Sequence, residues 1–535
     1  MSESDPKPER PTRNAAFVVP EPVLVYSPEL FERFNARVLD PMTAAQVPGQ
    51  PRVHSTAYIA DRLIVSGVAR GDTQDTLQQA ARHHGFAIED DDRHVRTTEL
   101  ARGAGMTEAT SLFAKSVRIV AASDKPTAPH DAWQVLQTFR ALIGREHEGH
   151  RHVALDHLMT ASPFINGSPF INGSPFINGS PFINGSPVAE YAMPGWGGRA
   201  PVAWVGPEPY RRPDHEMPCR RPVVAVLDTG SGEHPWLPPN IVRRDASVLG
   251  LPIGLHDPAT DPERTGVVVD PLTGLLDSDS GHGTFIAGLI RQTCPDADIL
   301  AIRVMPSDGA VSEGDLLCTL NRLALRQAIA QATLDSSNVI DVVCLSLGYY
   351  HEHPDDLSFD PQILVPLRML SECGVAVTVA AGNDSTARPM FPAAFTPYPG
   401  GLIAAPDPRR VPLISVGARN PDGTVAMFSN SGPWVACHRP GAALVSTFPV
   451  TFNAAAGPTL RTWVAGEGWR ETIDPDDFGG GFGTWSGTSF AAPILAAEIA
   501  QTMLDGQGGS LDLIDQPSSV ARGWHAVSTQ VRIAP

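Results

Sequence analysis

Three residues far apart in the chain are of the types that acyl transfer by a serine needs. Asp228 ends the apolar run RPVVAVLDTG, His282 opens a helical pattern in DSGHGTFIAGL, and Ser489 opens another in GTWSGTSFAAPILAAEIA. A serine hydroxyl is a weak nucleophile until a base takes its proton, and an imidazole serves best when a buried carboxylate orients it and balances its charge. Taken singly the three are ordinary. An Asp at a strand end forms turns, a His among glycines sits in one, and a Ser before an Ala-rich helix caps it. Glycines crowd all three positions, however (Gly230, Gly281, Gly283 and Gly487), as is required where backbone must approach a ligand closely.

The elements that would position these residues begin near Arg221. Continuous apolar runs (RPVVAVLDTG, ADILAIRVM, VIDVVCLSLG, VAVTVAAGN, LISVGA) alternate with helical patterns such as DLLCTLNRLALRQAIAQA and DPQILVPLRMLSECG. That alternation predicts an α/β domain over residues 221–535, with a parallel sheet buried on both faces by helices. Ligands of such sheets bind beyond the carboxyl ends of the strands, which is where Asp228 stands.

The N-terminal part reads differently. Residues 1–50 are Pro-rich and weakly patterned, predicting a flexible tail. Over 51–160 the order is strand (TAYIADRLIVSG), helix (DTQDTLQQAARHHG), strand (FAIED), strand (KSVRIVAAS), helix (DAWQVLQTFRALIG) and strand (RHVALDHLM), which is that of a small α+β ferredoxin-like domain. Residues 161–220 read as a linker holding four tandem SPFING units and a Pro/Gly-rich stretch. Four hexapeptides make only about one β-helical coil, and Pro in each breaks a strand ladder, so a free-standing solenoid is not expected. The units read either as an exposed spacer or as a segment whose Phe164, Phe170, Phe176 and Phe182 dock on the following domain.

Composition narrows the function. A formal net charge of -18 argues against a nucleic-acid binder, which needs clustered Lys and Arg. No apolar run reaches the roughly 18 residues of a membrane span, and the polar MSESDPKPER start lacks a secretory pattern, so a cytoplasmic protein with no membrane partner is expected. Six widely spaced cysteines without a CxxC pair read as reduced core thiols. Few lysines amid many arginines, with abundant Ala, Pro and Gly, suggest a GC-rich bacterial coding sequence.

The motifs VLDTG, GHGTFIAGLI, VVCLSLG, VTVAAGN, LISVGA, FSNSGPWVACHRPG and GTSFAAP stand in the order found in subtilisin-like serine proteases, and from Arg221 onward the chain resembles that family. The resemblance implies Ser489 as nucleophile, His282 as general base and then acid, Asp228 as its orienting carboxylate, and Asn383 as oxyanion-hole donor. It further implies that Ser346, Leu347 and Gly348 pair with an extended peptide and, with Ala381 and Gly382, wall a pocket for hydrophobic residues. Departures are Tyr349, where the family usually has Gly and where the pocket mouth is expected to narrow, Phe490 in place of Met, and an extra segment over 451–484. Relatives often bind structural calcium, but Asp277 and Asp279 show no spacing that predicts a metal site, so no cofactor is expected. By the same analogy residues 51–160 are expected to be an inhibitory propeptide-type domain removed by self-cleavage; a partner-binding regulatory module is the alternative. A peptide transferase or cyclase using the same acyl-enzyme also remains open.

Overall fold

The computed structural model describes residues 24, 26–47, 49–122, 129–161, 191, 193, 197–269, 271–353 and 361–533. The SPFING readings lie outside the described residues. Helix α1 (Pro28–Phe34) starts where the Ser27 hydroxyl accepts the Leu30 N–H, with Pro28 in the first turn, where a missing N–H costs nothing. It leads into β1 (Ala36–Leu39), antiparallel to β2 (Thr56–Val65). The flexible tail expected over residues 1–50 is therefore corrected from Pro28 onward. Leu30 is buried in a cluster with Ile59, Leu158 and Ala310, residues brought together only by the fold.

After β2 come α2 (Gly71–His83), β3 (Phe86–Asp90), α3 (Asp92–Gly103), α4 (Thr107–Ser111), β4 (Lys115–Ala121), α5 (Ala132–Ile143) and β5 (Val153–Ala161). The strands form an antiparallel sheet in the order β5-β2-β4-β3, the ferredoxin-like arrangement expected, with α3 and α4 filling the long middle connection. Leu77 of α2 and Trp133, Leu136 and Phe139 of α5 share one buried cluster with Leu63, Val117 and Leu155 of the sheet.

The second unit is built from β6 (Val223–Asp228), β7 (Val242–Arg243), α6 (His282–Thr293), β8 (Asp298–Arg303), β9 (Ala310–Ser312), α7 (Glu313–Thr333), β10 (Val342–Leu345), β11 (Leu347–Gly348), α8 (Leu364–Glu372), β12 (Ala376–Ala380), β13 (Leu413–Arg419), β14 (Cys437–Pro440), β15 (Arg461–Val464), β16 (Gly468–Glu471), α9 (Thr488–Leu504) and α10 (Gln516–Gln530). Its parallel sheet runs β14-β13-β12-β10-β6-β8-β7. Alternate residues of each strand join two apolar clusters, one packed with Phe285, Ile290 and Leu495 from α6 and α9, the other with Leu320, Leu323 and Leu367 from α7 and α8. Burial on both faces is the reason these strands read as continuous apolar runs.

The two units share a sheet. β5 is antiparallel to β9 on one side, with Thr160 opposite Ala310 and Leu158 opposite Ser312, and antiparallel to β11 at its end, with Ala161 opposite Leu347 and Thr160 opposite Gly348. The stretch before β6, expected to be part of a linker, is fastened in places. Ala200 and Pro201 pair with Thr484 and Gly483, Arg211 meets Asp298 at 2.5 Å, and Arg212 meets Asp296 at 2.7 Å.

Candidate active site

Asp228 ends the inner strand β6, and His282 is the first residue of α6, entered through Gly281 in the left-handed region at φ 86°. Their side chains meet: His282 Nδ1 donates to Asp228 Oδ1 at 2.6 Å, and the same oxygen accepts the Thr229 N–H at 2.8 Å. With Nδ1 donating to a carboxylate, Nε2 of the neutral ring is left as an acceptor, and it has no hydrogen-bond partner among the described residues. Burial alone would lower the imidazole pKa, but the Asp228 charge and hydrogen bond, with Asp279 and Glu263 nearby, reverse this and hold it above 6.5.

The approach of α6 to β6 is close enough to demand glycine. A Cβ on Gly283 would stand 2.1 Å from the Gly230 carbonyl oxygen. Beneath the pair lies a residue the sequence reading missed. Buried Glu263 accepts from the Thr229 and Thr284 hydroxyls, each at 2.5 Å, and Thr229 Oγ1 accepts the Gly283 N–H at 2.9 Å. Glu263 thus fastens the residue after Asp228 to the turn that carries His282. Burial raises its own carboxyl to about 7. Nothing in its local pattern, DPERTG, marks it for this place.

Ser489 is the second residue of α9, after the cap Gly487 and Thr488. Its Oγ donates to the Ser346 carbonyl at 3.3 Å, and the Ser346 hydroxyl donates back to the Ser489 carbonyl at 3.0 Å. The next residue, Phe490, packs on the His282 ring at 5.1 Å between centroids, and Trp485 meets that ring edge-on at 5.6 Å. The Phe that replaces the family's Met is therefore part of the wall behind the imidazole. Asn383 follows β12, and its Oδ1 accepts both the N–H and the hydroxyl of Thr488, at 3.0 and 2.9 Å. Those two bonds fix the amide orientation, because they occupy the oxygen and leave Nδ2 as a buried donor with no partner among the described residues.

Asp228, His282 and Ser489 are all buried. A cavity of about 220 Å³ is lined by Gly348, Asn383, Asp384 and Met390 from the second unit and by Tyr26 and Ala161 from the first, and Asn383 is the member of the expected site that it reaches besides Gly348. Of the expected pocket residues, Gly348 lines this cavity. Ser346 instead touches Ser489, Leu347 pairs with Ala161, the Gly382 N–H donates to Thr488 Oγ1 at 3.0 Å, and the Ala381 carbonyl accepts from Asn430 at 2.9 Å. Tyr349 also lines the cavity, but its ring stacks on His157 of β5 at 4.3 Å. Asp277, weighed above as a metal ligand, accepts the N–H groups of Val268 and Val269 and the Ser307 hydroxyl.

The extra segment roots beside His282, since Phe448 and Phe478 stack on each other at 4.1 Å and Phe448 stacks on Trp485. Its hairpin, β15 paired with β16, carries exposed Trp463 and Trp469. Among the described residues no helix is long and apolar enough to cross a membrane.

Residues 220–508 match the subtilase family profile. The chain is 27% identical over 287 residues to an intracellular serine protease of Paenibacillus polymyxa, covering 52% of this chain and 65% of that protein. It is 28% identical over 282 residues to a subtilisin of Bacillus sp. strain TA39 (52% and 55%), and 27% identical over 249 residues to the minor extracellular protease Epr of Bacillus subtilis (44% and 30%). The chain thus spans less than two thirds of the length of each of these relatives.

Proposed function

The chain belongs to the subtilase family, and from that premise we propose that it is a serine endopeptidase whose triad is Asp228, His282 and Ser489 and whose N-terminal unit holds it latent. In this reading His282 Nε2 takes the Ser489 proton as the hydroxyl attacks the scissile carbonyl, Asp228 stabilises the imidazolium, and Asn383 Nδ2 with the Ser489 N–H receives the oxyanion. The imidazolium then protonates the leaving amine, and water releases the acyl group by the same route. The observation that carries the chemistry is that His282 and Asn383 each contact a residue next to Ser489, Phe490 and Thr488 respectively, while His282 Nε2 and Asn383 Nδ2 have no partner among the described residues.

Latency rests on β5. It lies antiparallel between β9 and β11, as an extended peptide substrate would, and its end at Ala161 adjoins the cavity beside Asn383. The apolar side chains around that cavity support cleavage after hydrophobic residues. The six cysteines are free thiols, in keeping with a reducing, cytoplasmic location. The test is fluorophosphonate labelling of the wild type and of Ser489→Ala, with mass spectrometry of both. Labelling confined to the wild type is expected, with a cut between Met159 and Arg221 that the variant lacks. An unlabelled wild type would refute the triad, an uncut but active wild type would refute cleavable latency, and joined peptide products would favour a transferase.

A further inference from the structure

His157 sits on β5, four residues upstream of the Ala161 that pairs with Leu347, and on the strand face shared with Met159. Its Nδ1 lies 2.6 Å from Glu313 Oε2 and its Nε2 2.9 Å from Glu352 Oε2. Glu313 is the first residue of α7, and Glu352 follows β11, so both carboxylates belong to the protease unit. The Tyr349 ring lies nearly parallel to the imidazole, 22° between planes, and the Tyr349 hydroxyl reaches Glu313 at 3.4 Å. All four side chains are buried.

Two carboxylates at the two ring nitrogens require both to donate, so the tenant is an imidazolium. Burial lowers its pKa, but the hydrogen bonds and charges of Glu313 and Glu352 outweigh that and raise it to about 9. Among the described residues the site is also faced by His351, whose Nε2 lies 3.3 Å from Glu352, by His353, and by Arg140 of α5, 3.7 Å from Glu352 and 3.5 Å from His353. His157, His351 and Glu352 bring possible ligand atoms within 4.8 Å of one another. A metal there would have to displace the proton on His157 Nε2, and also that on His351 Nε2, because His351 Nδ1 already accepts the His353 N–H at 2.9 Å. The arrangement favours an organic cation.

We propose that Glu313, Tyr349 and Glu352 form a subsite for a flat basic side chain, guanidinium or imidazolium, borne by an extended substrate four residues upstream of the one that pairs with Leu347. The proposal rests on the reading of β5 as occupying the substrate path. A planar cation sandwiched on an aromatic ring between two carboxylates is held by stacking and charge-assisted hydrogen bonds together. When β5 leaves, His157 and Arg140 leave with it, and the two carboxylates lose these cationic partners until a basic residue enters. Tyr349, where the family usually has Gly, supplies the flat face.

The test uses the full-length chain carrying His157→Glu, which sets a third carboxylate against Glu313 and Glu352 and so disfavours β5 in the cleft. Fluorophosphonate titration comes first, and absence of labelling would sink the serine-protease reading rather than this one. On labelled protein, two peptides differing only by Arg or Ala at the upstream position are compared. We expect kcat/KM to favour Arg by about tenfold or more, and the ratio to fall to near one when Glu352→Gln is added. A ratio near one without that substitution, or one unmoved by it, overturns the subsite. A second arm needs no peptide: in the otherwise native chain His157→Leu should be labelled about tenfold faster than His157→Arg, and equal rates overturn the proposal. Faster labelling of the native chain after EDTA treatment would assign the cluster to a metal and overturn it as well.

Discussion

In the proposed mechanism, replacing Asn383 removes one donor from the place where negative charge develops. Its Nδ2 has no partner among the described residues, while its Oδ1 is held by Thr488 at 2.9 and 3.0 Å, so the donor would be pre-oriented and need no reorganisation during the reaction. Loss of such a donor lowers turnover by roughly 100- to 1,000-fold, or about 2.7 to 4 kcal/mol of barrier. Asn383→Ala also strands the buried Thr488 N–H, at a cost of about 1–3 kcal/mol in stability. Asn383→Asp separates the two effects, because it keeps the acceptor for Thr488 and replaces only the donor, with a group that repels the oxyanion. The assay is kcat and KM on a peptide, with the rate of fluorophosphonate labelling and the melting temperature beside them. Both variants should lose about 100-fold or more in kcat with KM little changed, and Asn383→Asp should melt nearer the wild type. Thr488→Val, which removes one of the two anchors, should lose less than about tenfold. A kcat loss under about tenfold in both Asn383 variants, or a loss carried by KM, would refute the oxyanion assignment.

Other expectations follow from the same geometry. Labelling of Ser489 needs neutral His282, so its rate should rise with pH to a midpoint above 6.5, and Asp228→Asn should slow it by about 10⁴-fold; an acid-shifted midpoint in the native chain would contradict the ion pair. Glu263 has a folded pKa raised from 4.5 to about 7, so its contribution is fully present below 4.5 and is lost as pH rises through 7. Glu263→Gln should therefore gain in melting temperature relative to the wild type between about pH 5 and 8, and a difference independent of pH would show that Glu263 does not titrate in this range. Gly283→Ala, whose Cβ meets the Gly230 carbonyl at 2.1 Å, should cost roughly 1–3 kcal/mol in thermal unfolding and slow Ser489 labelling by pushing α6 from β6; native melting and labelling would show that the approach relaxes freely.

Much of the fold was legible because it rests on local pattern. Strands buried on both faces must be apolar throughout, and the runs ending at Asp228 and before Asn383 became β6 and β12. The ferredoxin-like order was equally readable, since α2 and α5 show helical spacing and Asp131 caps α5. Pro28–Leu39 was misjudged because the Pro-rich stretch around it masked a Ser-Pro-Glu helix start, and because Leu30 is stabilised by Ile59, Leu158 and Ala310 rather than by its own neighbours. Glu263 was invisible for a similar reason. A lone Glu in a polar loop has no periodicity, and only closure of the loop against Thr229 and Thr284 makes it a brace.

By itself the sequence determined the residue types for acyl transfer and their order along a buried parallel sheet, because strand burial and the glycines that let backbones approach are written locally. Only the tertiary structure decided how those residues are oriented and how the N-terminal unit is joined to the sheet that carries them. The run of β5 between β9 and β11, the orientation of the Asn383 amide and the clamping of His157 by Glu313 and Glu352 join positions up to 195 residues apart. Contacts at that separation leave no periodic trace, since a hydrogen bond or ion pair constrains two side chains and nothing between them.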